Sequence, residues 1–506
     1  MTETKASGGV IYNTVDDDYF HKRGLRRYAG VFSLWALGVG AVISGDFSGW
    51  NFGLAFGWGS MFVATVLISI MYLGLTYSIA EMSPALPHTG GAYSFARSAM
   101  GPWGGFVTGI AENIEYVLTP AVVVFFIGSY VGAILGTGAE VQPLYWVAGY
   151  IIFLAANLFG VELSFRVTVV VTVLALAVLV IFYISAFPIV DFNKWAMNIG
   201  VGADGTLIEL PEGGGPWFPD GIHGILGAMP FAVWLFLAIE QLPLAAEESR
   251  DPRRDMPKGI LLGILTLIIT GFGVLFFNAS IGPGSFGLKA SGEPLLEGFR
   301  TIYGTNVANI LAMAAILGLV ASFHAIMFAF GRQIYSLSRA GYFPRALSLT
   351  HGTHKTPHLA LLTGSFIGLA VMLVIWYAYG AETGGAFIGA ALLNMAVFGA
   401  MISYIMQGVS FILLRVKLPN IDRPYRSPFG ILGALCTIVI GLVTIYFQVT
   451  DPAFRDPVIG VAIYYAITIL YFALIGRRHL VLSPEEEFAM TKGASETPHT
   501  SGVPTR

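Results

Sequence analysis

Twelve segments of this chain are long and apolar enough to cross a lipid bilayer, and this feature limits the fold more than any other. A transmembrane helix needs roughly 20 predominantly apolar residues. Because lipid offers no partner to backbone polar groups, such segments predict α-helices. They lie at residues 31–57, 60–82, 102–134, 144–161, 167–189, 219–247, 259–282, 305–335, 358–379, 385–414, 429–448 and 457–476. The sequence therefore predicts an all-α integral membrane protein with one twelve-helix domain over residues 29–478.

The overall composition agrees with a membrane protein and excludes several other classes. Of the 506 residues, 55% are hydrophobic and only 11% are charged, against about 25% charged in an ordinary soluble domain. The net charge of -3 says little about partners, because the charges are segregated by side of the membrane, and we expect no nucleic-acid partner. Cys436 is the single cysteine, which excludes an internal disulfide framework and a cysteine-cluster metal site. We expect no cofactor and no metal, and the expected partners are the lipid bilayer and a small molecule.

The distribution of basic residues predicts the orientation in the membrane. Residues 1–28 are polar and contain no apolar core with a cleavage site, so we interpret them as a cytosolic tail. Basic residues favour cytoplasmic loops. Of the 27 Lys and Arg residues, the loops assigned outside contain only Lys194, Lys289, Arg300 and Arg455. We therefore predict a multi-pass protein of the plasma (inner) membrane with both termini in the cytoplasm.

The last residues of the chain differ in composition from the helical domain. Residues 479–506 contain the acidic run Glu485-Glu-Glu487, followed by Ser, Thr, Pro and Gly. Such a composition lacks the apolar surface needed to form a core. We predict a disordered cytosolic tail and assign it no function.

The first apolar segment contains a carboxylate in the middle of a membrane-length run. Asp46 lies within Val39–Gly53, close to glycines 45, 49 and 53 and to two serines. A charge at this depth costs at least several kcal/mol unless it faces protein or water. Each glycine also weakens a helix by roughly 1 kcal/mol relative to Ala. The pattern predicts a broken helix around a polar ligand or pathway.

A second interruption is predicted in the sixth segment. Glu240 and Gln241 precede Pro243, and a proline removes a backbone donor and clashes one turn earlier, near Ile239. Segments one and six are each the first of a set of five. Paired interruptions of this kind indicate inverted repeats with a binding site between discontinuous helices. We place repeat one at about residues 31–189, repeat two at about 219–414 and two extra helices at about 429–476.

Several motifs resemble those of a known transporter family. They are Ile43-Ser-Gly-Asp-Phe-Ser-Gly-Trp-Asn-Phe-Gly53, Ala80-Glu-Met-Ser-Pro84 with Gly90-Gly-Ala-Tyr93, Gly101-Pro-Trp-Gly-Gly105, Pro243-Leu-Ala-Ala-Glu-Glu-Ser-Arg-Asp-Pro252, and Gly331 to Pro344. Over about residues 25 to 478 the chain resembles the amino acid–polyamine–organocation (APC) superfamily, and within it the ethanolamine permeases. The resemblance implies a five-plus-five inverted-repeat (LeuT-like) fold with two added C-terminal helices, in which helices one and six are discontinuous. It also implies transport by alternating access.

The resemblance also implies where a substrate would bind. Amino acid carriers of this superfamily hold the substrate carboxylate on a Gly-Ser-Gly-like break in helix one, which corresponds here to Ser44, Gly45 and Asp46. An aspartate would repel a carboxylate and attract an ammonium. At ~4 Å and an effective dielectric constant of ~20, that attraction is about 4 kcal/mol before desolvation. The aspartate therefore favours an amino alcohol over an α-amino acid.

The remaining site residues follow from the same alignment and from their chemistry. Glu240 matches an acidic position of the broken sixth helix, Trp234 matches an aromatic that packs over substrate, and Ala238 replaces the family's glycine. Phe236 could add a cation–π contact of ~0.5–2 kcal/mol. The predicted substrate-binding set is Ile43, Ser44, Gly45, Asp46, Phe47, Ser48, Glu115, Trp234, Phe236, Leu237 and Glu240.

Each of these residues also has a structural explanation. Asp46 could bond neighbouring amides, and Glu240 could act in substrate binding, gating, proton coupling or helix structure. Glu112 and Glu115 share one helical face, which lines a pathway or meets another helix. His324 is a candidate proton carrier or a packing residue, and Ser322 matches an ion-ligand position of sodium-coupled relatives.

The coupling ion stays open between H⁺ and Na⁺, with uncoupled transport as a third case. The coupling and gating candidates are Glu112, Glu240, Ser322 and His324. Some proton-coupled relatives carry a lysine in helix five, whereas this chain has no basic residue between Arg166 and Lys194.

Charged residues near the predicted cytoplasmic ends of the helices form a further group. We interpret them as a network that holds one conformation, with a solvated loop face as the alternative. They are Glu81, Arg97, Glu247, Glu248, Arg250, Arg253 and Arg254.

Together these features predict a secondary active transporter that imports a small organic amine, ethanolamine first, by alternating access. An amino acid or polyamine permease of the same superfamily is the alternative. An intramembrane aspartyl enzyme would need a second catalytic aspartate in the middle of another span, and the only other aspartate in the twelve segments is Asp220 at the edge of segment six, so we predict no enzyme activity. A gated channel would lack saturable uptake with counterflow.

Overall fold

Long α-helices make up most of the chain in the computed structural model, which describes residues 5–491 except residues 8, 14, 16, 17, 24, 26, 160 and 204. Eleven helices are long and apolar enough to cross a membrane, and a pair bent by 43° adds a twelfth when it is counted as one span. Spans one to twelve are Val31–Val42 with Ser44–Phe47 and the 3-10 helix Trp50–Phe56, Trp58–Ala85, Gly91–Leu135, Gln142–Leu158, Val161–Ala186, Gly221–Trp234 with the 3-10 helix Ile239–Glu248, Pro252–Phe277, Thr305–Arg339, His358–Tyr379, Ala381–Lys417, Gly430–Thr450 and Arg455–Leu474.

A small sheet joins the two ends of the helical domain. Strand Val10–Asn13 pairs antiparallel with Lys5–Ser7 and parallel with Leu480–Val481, which follows span twelve. Both ends of the domain therefore lie on one face of the bundle, the terminal face. Two ends on one face require an even number of crossings, so the bent pair Val31–Phe47 and Trp50–Phe56 counts as one span.

The prediction of a disordered C-terminal tail is wrong for residues 480–491. These residues form strand Leu480–Val481 and helix Pro484–Thr491, in which Glu485 and Glu486 are buried. The composition of the acidic run does not show its partners, because Arg97 and Arg339 from distant spans supply the counter-charges. Residues 492–506 lie outside the described residues.

The two long loops predicted outside lie at the opposite end, the loop face, and contain short elements. Residues 190–216 hold the π-helix Phe192–Ala196 and the hairpin Ile199–Val201 with Leu207–Glu209. Residues 283–304 hold helices Gly284–Leu288 and Pro294–Tyr303. The remaining short helices are Asp18–His21, Ala139–Val141, Phe187–Ile189, Arg345–Ser348, Pro452–Phe454 and Gly476–Arg478.

Span three forms the centre of the bundle. It begins at Gly91, before the apolar segment predicted from residue 102, and bends at Gly101, where φ is 83°. Its most extensive pairing is with span ten, followed by span eight. A Cβ at Gly399 would lie 2.8 Å from the Ala111 carbonyl oxygen, so this glycine permits the close approach of spans three and ten.

Candidate functional site

The backbone of span one leaves the helical conformation in the middle of the bundle. Ser48 is extended, with φ −162° and ψ 159°, and Gly49 has φ 95°. The chain then continues as a 3-10 helix from Trp50. Only glycine adopts the Gly49 conformation without steric cost. This stretch therefore leaves main-chain polar groups available to other parts of the structure.

Span six changes conformation at the residues predicted from Pro243. Its α-helix ends at Trp234, and a 3-10 helix begins at Ile239. Between them Ala238 has φ 82°, a left-handed conformation that costs a non-glycine residue roughly 1–2 kcal/mol. The alanine side chain thus carries strain at this position.

Trp234 connects the two interrupted stretches. Its indole nitrogen donates to the Ser48 carbonyl oxygen at 2.9 Å. A Cβ at Gly45 would lie 2.6 Å from the Trp234 carbonyl oxygen, and a Cβ at Gly49 would lie 2.6 Å from the Trp234 Nε1. The glycines of span one therefore let span six pack directly against its backbone.

Asp46 is buried on the side of span one that faces spans five and seven. Neither carboxylate oxygen has a hydrogen-bond partner within the described residues. Thr270 of span seven lies close to the carboxylate, and Tyr183 of span five lies within electrostatic range. The structure therefore does not contain the alternative arrangement, in which neighbouring amides donate hydrogen bonds to the Asp46 side chain.

Ser44 and Ser322 connect spans one and eight. Their hydroxyls are 2.8 Å apart, and the Ser322 hydroxyl also donates to the Ala41 carbonyl oxygen. Both serines are buried. Ser44, which is predicted to bind substrate, is thus hydrogen-bonded to Ser322, which is predicted to act in coupling.

The predicted apolar site residues lie mainly in helix contacts. The Phe47 ring packs against Gly318 of span eight, and the Phe236 ring lies 5.4 Å from the Tyr72 ring. Ile43 and Leu237 are buried. Phe47 still contributes a backbone group near the interruption, since its carbonyl oxygen accepts from Tyr130 at 2.9 Å.

Three predicted acids meet in a separate cluster with tyrosines of spans two, three and ten. We call Glu112, Glu115, Glu240, Tyr72, Tyr116 and Tyr404 the acid–tyrosine cluster. All six side chains are buried. Tyr116 reaches Glu240 at 3.0 Å and Glu112 at 3.4 Å. Tyr404 donates to Glu115 at 3.1 Å and contacts the Tyr72 hydroxyl at 3.1 Å.

His324 contacts span four. The Asn157 amide nitrogen lies 3.0 Å from His324 Nδ1, and the Phe153 ring is 6.2 Å from the imidazole. The structure thus places His324 at the interface of spans four and eight. Among the described residues no group of three or more His, Cys, Asp or Glu side chains is arranged to hold a metal ion.

Part of the predicted cytoplasmic charge network forms ion pairs, but with partners that the sequence did not indicate. Glu81 pairs with Arg415 and Arg423, and Glu248 pairs with buried Arg332 at 2.9 Å. These pairs join spans two and ten, and spans six and eight. They lie at the terminal face, where they hold helix ends together. The other pairs are Glu247 with Arg339, Arg97 with Glu486 and Arg253 with Asp422.

The loop of residues 283–304 covers the interruption of span one from the loop face. The Ser48 hydroxyl donates to the Gly292 carbonyl oxygen at 3.0 Å, and Asn51 donates to the Leu288 carbonyl oxygen at 2.7 Å. Ser129 donates to Glu293 at 2.7 Å. Burial raises the pKa of the Glu293 carboxyl above its ordinary value, and the Ser129 hydrogen bond opposes this.

A cavity of about 130 Å³ lies beneath this loop. Aromatic rings and two polar side chains form its wall, together with loop residues. The lining residues are Phe52, Phe125, Ser129, Ala139, Gln142, Ala290, Gly292 and Trp376. Because the site residues are buried and the loop of residues 283–304 covers them, the structure is a closed form of the protein.

Sequence reasoning missed the tyrosines of the acid–tyrosine cluster and the acids at the C-terminus. Tyr116 directly follows Glu115, so a polar ring beside a membrane-depth acid was a usable signal. Tyr72 and Tyr404 carry no such local signal. Glu485 and Glu486 form a visible acidic run, but their arginine partners lie 146 and 389 positions away in sequence.

The chain is similar in sequence to known transporters. A family model described as amino acid permease matches residues 30–474. An uncharacterized transporter of Rhizobium meliloti (strain 1021) is 27% identical, with 92% of this chain and 95% of the relative aligned. Two proteins of Bacillus subtilis (strain 168) are each 24% identical. The branched-chain amino acid permease BcaP aligns over 80% of this chain and 85% of its own length, and the methylthioribose transporter over 91% and 96%.

Proposed function

The chain belongs to the amino acid permease family, and we propose that it imports a small organic amine across the membrane by alternating access. The observation that carries the proposal is a group of buried acids without counter-charges. Both oxygens of Asp46, and one oxygen each of Glu112, Glu115 and Glu240, have no hydrogen-bond partner among the described residues. A buried charge is costly unless it is paired. A cationic substrate and protons would supply the missing charges.

Asp46 is the proposed ligand of the substrate ammonium. Its neighbours Thr270 and Tyr183 are neutral, so a bound ammonium would be its counter-charge. Ser44, Gly45 and Ser48 would hold the rest of the substrate, and Trp234 would close over it. An aspartate at this point favours a substrate that carries an amine and no carboxylate. Ethanolamine is the simplest such amino alcohol, and we propose it as the substrate.

The acid–tyrosine cluster is the proposed site of coupling to protons. A tyrosine hydroxyl carries one proton, so Tyr116 can donate to Glu112 or to Glu240 but not to both at once. A proton on a carboxyl group would let that carboxyl donate to the Tyr116 oxygen as the second contact. Three carboxylates in one buried cluster also repel one another, which favours protonation of at least one. Glu240 lies just after Ala238 and is therefore placed to link protonation to the shape of span six.

Replacement of Glu240 by Gln would test this coupling. We expect proton-driven accumulation to fall about tenfold or more, equivalent to at least about 1.4 kcal/mol. Substrate exchange across the membrane without a proton gradient should persist. Glu140→Gln, an exposed acid before span four, is the control. A Glu240→Gln variant that still accumulates substrate against a gradient at the wild-type level would contradict the assignment.

Two matched interruptions support an inverted-repeat architecture, which is compatible with alternating access. They lie in spans one and six, which are each the first of five spans. Trp234 and Ser48 connect them in the closed form. We propose that spans one to five and six to ten form the two repeats, with spans eleven and twelve added.

The terminal face is proposed to be cytoplasmic. The sheet between residues 10–13 and 480–481 puts both ends of the domain on one face. The opposite loops contain only four of the 27 Lys and Arg residues, which agrees with the tendency of basic residues to stay in the cytoplasm. The plasma membrane is the proposed location.

An amino acid or polyamine substrate is the second candidate. Similarity to relatives supports it, since one is a branched-chain amino acid permease and another is a probable threonine/serine transporter. For an amino acid the Glu112, Glu115 and Glu240 carboxyls would meet the amine, and Asp46 would have to be protonated beside the substrate carboxylate. A saturable uptake rate with counterflow would separate both candidates from a channel.

Uptake into proteoliposomes tests the proposal directly. Labelled ethanolamine would be offered with choline, alanine, lysine or putrescine as competitor, and with proton or sodium gradients imposed separately. We expect saturable ethanolamine uptake that a proton gradient stimulates. Transport of alanine without transport of ethanolamine would overturn the substrate assignment and favour the second candidate.

A further inference from the structure

Glu486 near the C-terminus is buried at the terminal face and fully engaged by side chains from other parts of the chain. One carboxylate oxygen accepts from Tyr93 at 2.8 Å and from Tyr342 at 2.9 Å. The other accepts from Tyr12 at 2.6 Å and from Arg97 Nε at 2.6 Å. Four donors on one carboxylate form a specific binding site, because a loosely packed tail would leave these oxygens to water.

Glu485 occupies the adjacent part of the same site. Its carboxylate accepts from Arg339 at the end of span eight and from the Ser336 hydroxyl at 3.3 Å. Arg339 also pairs with Glu247 at the end of span six at 2.6 Å. One arginine therefore ties the tail to the junction of spans six and eight.

The backbone of the tail is fixed as closely as its side chains. The Val481 amide donates to the Ala340 carbonyl oxygen at 2.9 Å, and Leu480 pairs with Tyr12 of the N-terminal strand. Gly341 has φ 84°, and a Cβ there would lie 2.9 Å from the Leu480 Cα. The Phe488 ring lies 5.8 Å from His88 in the loop between spans two and three.

We propose that Arg97, Arg339, Tyr12, Tyr93 and Tyr342 form a carboxylate-binding site whose ligand is the chain's own Glu485–Glu486 pair, and that its occupation holds the terminal face closed. The site joins the start of span three to the ends of spans six and eight. Separation of these ends would open the terminal face in alternating access, so this consequence rests on the proposed function. Release of the tail would remove the ion pair of Arg97, which keeps its hydrogen bond to Tyr12, and one of the two ion pairs of Arg339.

A reporter cysteine beneath the tail tests the proposal. Leu244→Cys in a Cys436→Ser background places a thiol at a buried residue of span six that packs against Gly91 of span three. The full-length purified protein is treated with a charged maleimide without substrate. We expect the Glu485→Gln, Glu486→Gln double substitution to speed labelling at least tenfold, and Glu487→Gln to leave it unchanged. Equal labelling rates in the double variant and the unsubstituted reporter would overturn the proposal.

A truncated chain with a peptide added in trans keeps the test decisive if the double variant folds poorly. The reporter protein that ends at Val481 is incubated with a synthetic peptide of residues 482–506. We expect fast labelling of the truncated protein and slow labelling after the peptide is added. A peptide with Gln at 485 and 486 should have no effect. Equal protection by the two peptides, or no protection by either, would contradict the site. Because no substrate is present, these outcomes are independent of the ethanolamine assignment.

Discussion

The indole nitrogen of Trp234 donates a hydrogen bond to the carbonyl oxygen of Ser48, 2.9 Å away. The two residues belong to the interrupted stretches of spans six and one, 186 positions apart in the chain. The bond satisfies a backbone acceptor that the extended conformation of Ser48 removes from the helix. It therefore connects the two interrupted stretches, which the proposed alternating-access mechanism would separate.

Trp234→Phe should weaken this closed arrangement while it keeps an aromatic ring. The Ser48 carbonyl oxygen would be left buried without that donor, which costs about 1–3 kcal/mol. We expect lower thermal stability in detergent and slower substrate exchange. Trp217→Phe, at a half-exposed tryptophan of the loop face, is the matched control. Equal stability of the two variants would show that the bond contributes nothing.

Ala238→Gly should stabilise the protein, although glycine usually destabilises. At φ 82° an alanine carries a steric cost of roughly 1–2 kcal/mol, which the glycine variant avoids. The variant in turn loses roughly 0.5–1 kcal/mol, because glycine has more conformational entropy in the unfolded chain. We expect a higher midpoint of thermal unfolding. Ala246→Gly, in the 3-10 helix that follows, should lower it instead. The same direction of change in both variants would contradict the strain at residue 238.

The covering loop of residues 283–304 should loosen as the pH rises. Burial raises the pKa of Glu293, so the closed loop favours the protonated carboxyl. The proton on Glu293 stabilises the closed loop fully at a pH below the ordinary glutamate pKa. This stabilisation is lost as the pH rises through the raised pKa of Glu293. Hydrogen exchange of the loop amides, corrected for intrinsic rates, measures this. Glu293→Gln should remove the pH dependence, and its persistence in that variant would contradict the cause.

The sequence was informative wherever the signal was local. Continuous apolar runs predicted the positions of the membrane-length helices, because hydrophobic thickness sets helix length. In the structure the backbone is not α-helical at Gly49 and from Ile239 onward, one turn before Pro243, and the steric properties of glycine and proline are compatible with both changes. Span three differed because Gly91 to Met100 extends its helix beyond the apolar run.

The arrangement of the site depended on long-range packing and could not be predicted. Asp46 and Glu240 were expected to face one substrate, but Asp46 lies toward spans five and seven, whereas Glu240 joins the acid–tyrosine cluster. Tyr404 reaches Glu115 from 289 positions away, and Arg97 reaches Glu486 from 389 positions away. No local pattern encodes such pairings, so the acidic run of the tail appeared to lack partners.

Asp46 carries the central claim that this permease recognises an ammonium group. Asp46→Asn keeps the shape of the side chain and removes its charge, so the attraction of about 4 kcal/mol at an effective dielectric constant of ~20 would be lost in part or in full. The decisive measurement is the equilibrium binding of ethanolamine to purified wild-type and Asp46→Asn protein with matching thermal unfolding. We expect binding to the variant to be weaker by about 100-fold or more, equivalent to at least about 2.7 kcal/mol. Wild-type affinity in a folded Asp46→Asn variant would remove Asp46 from the site.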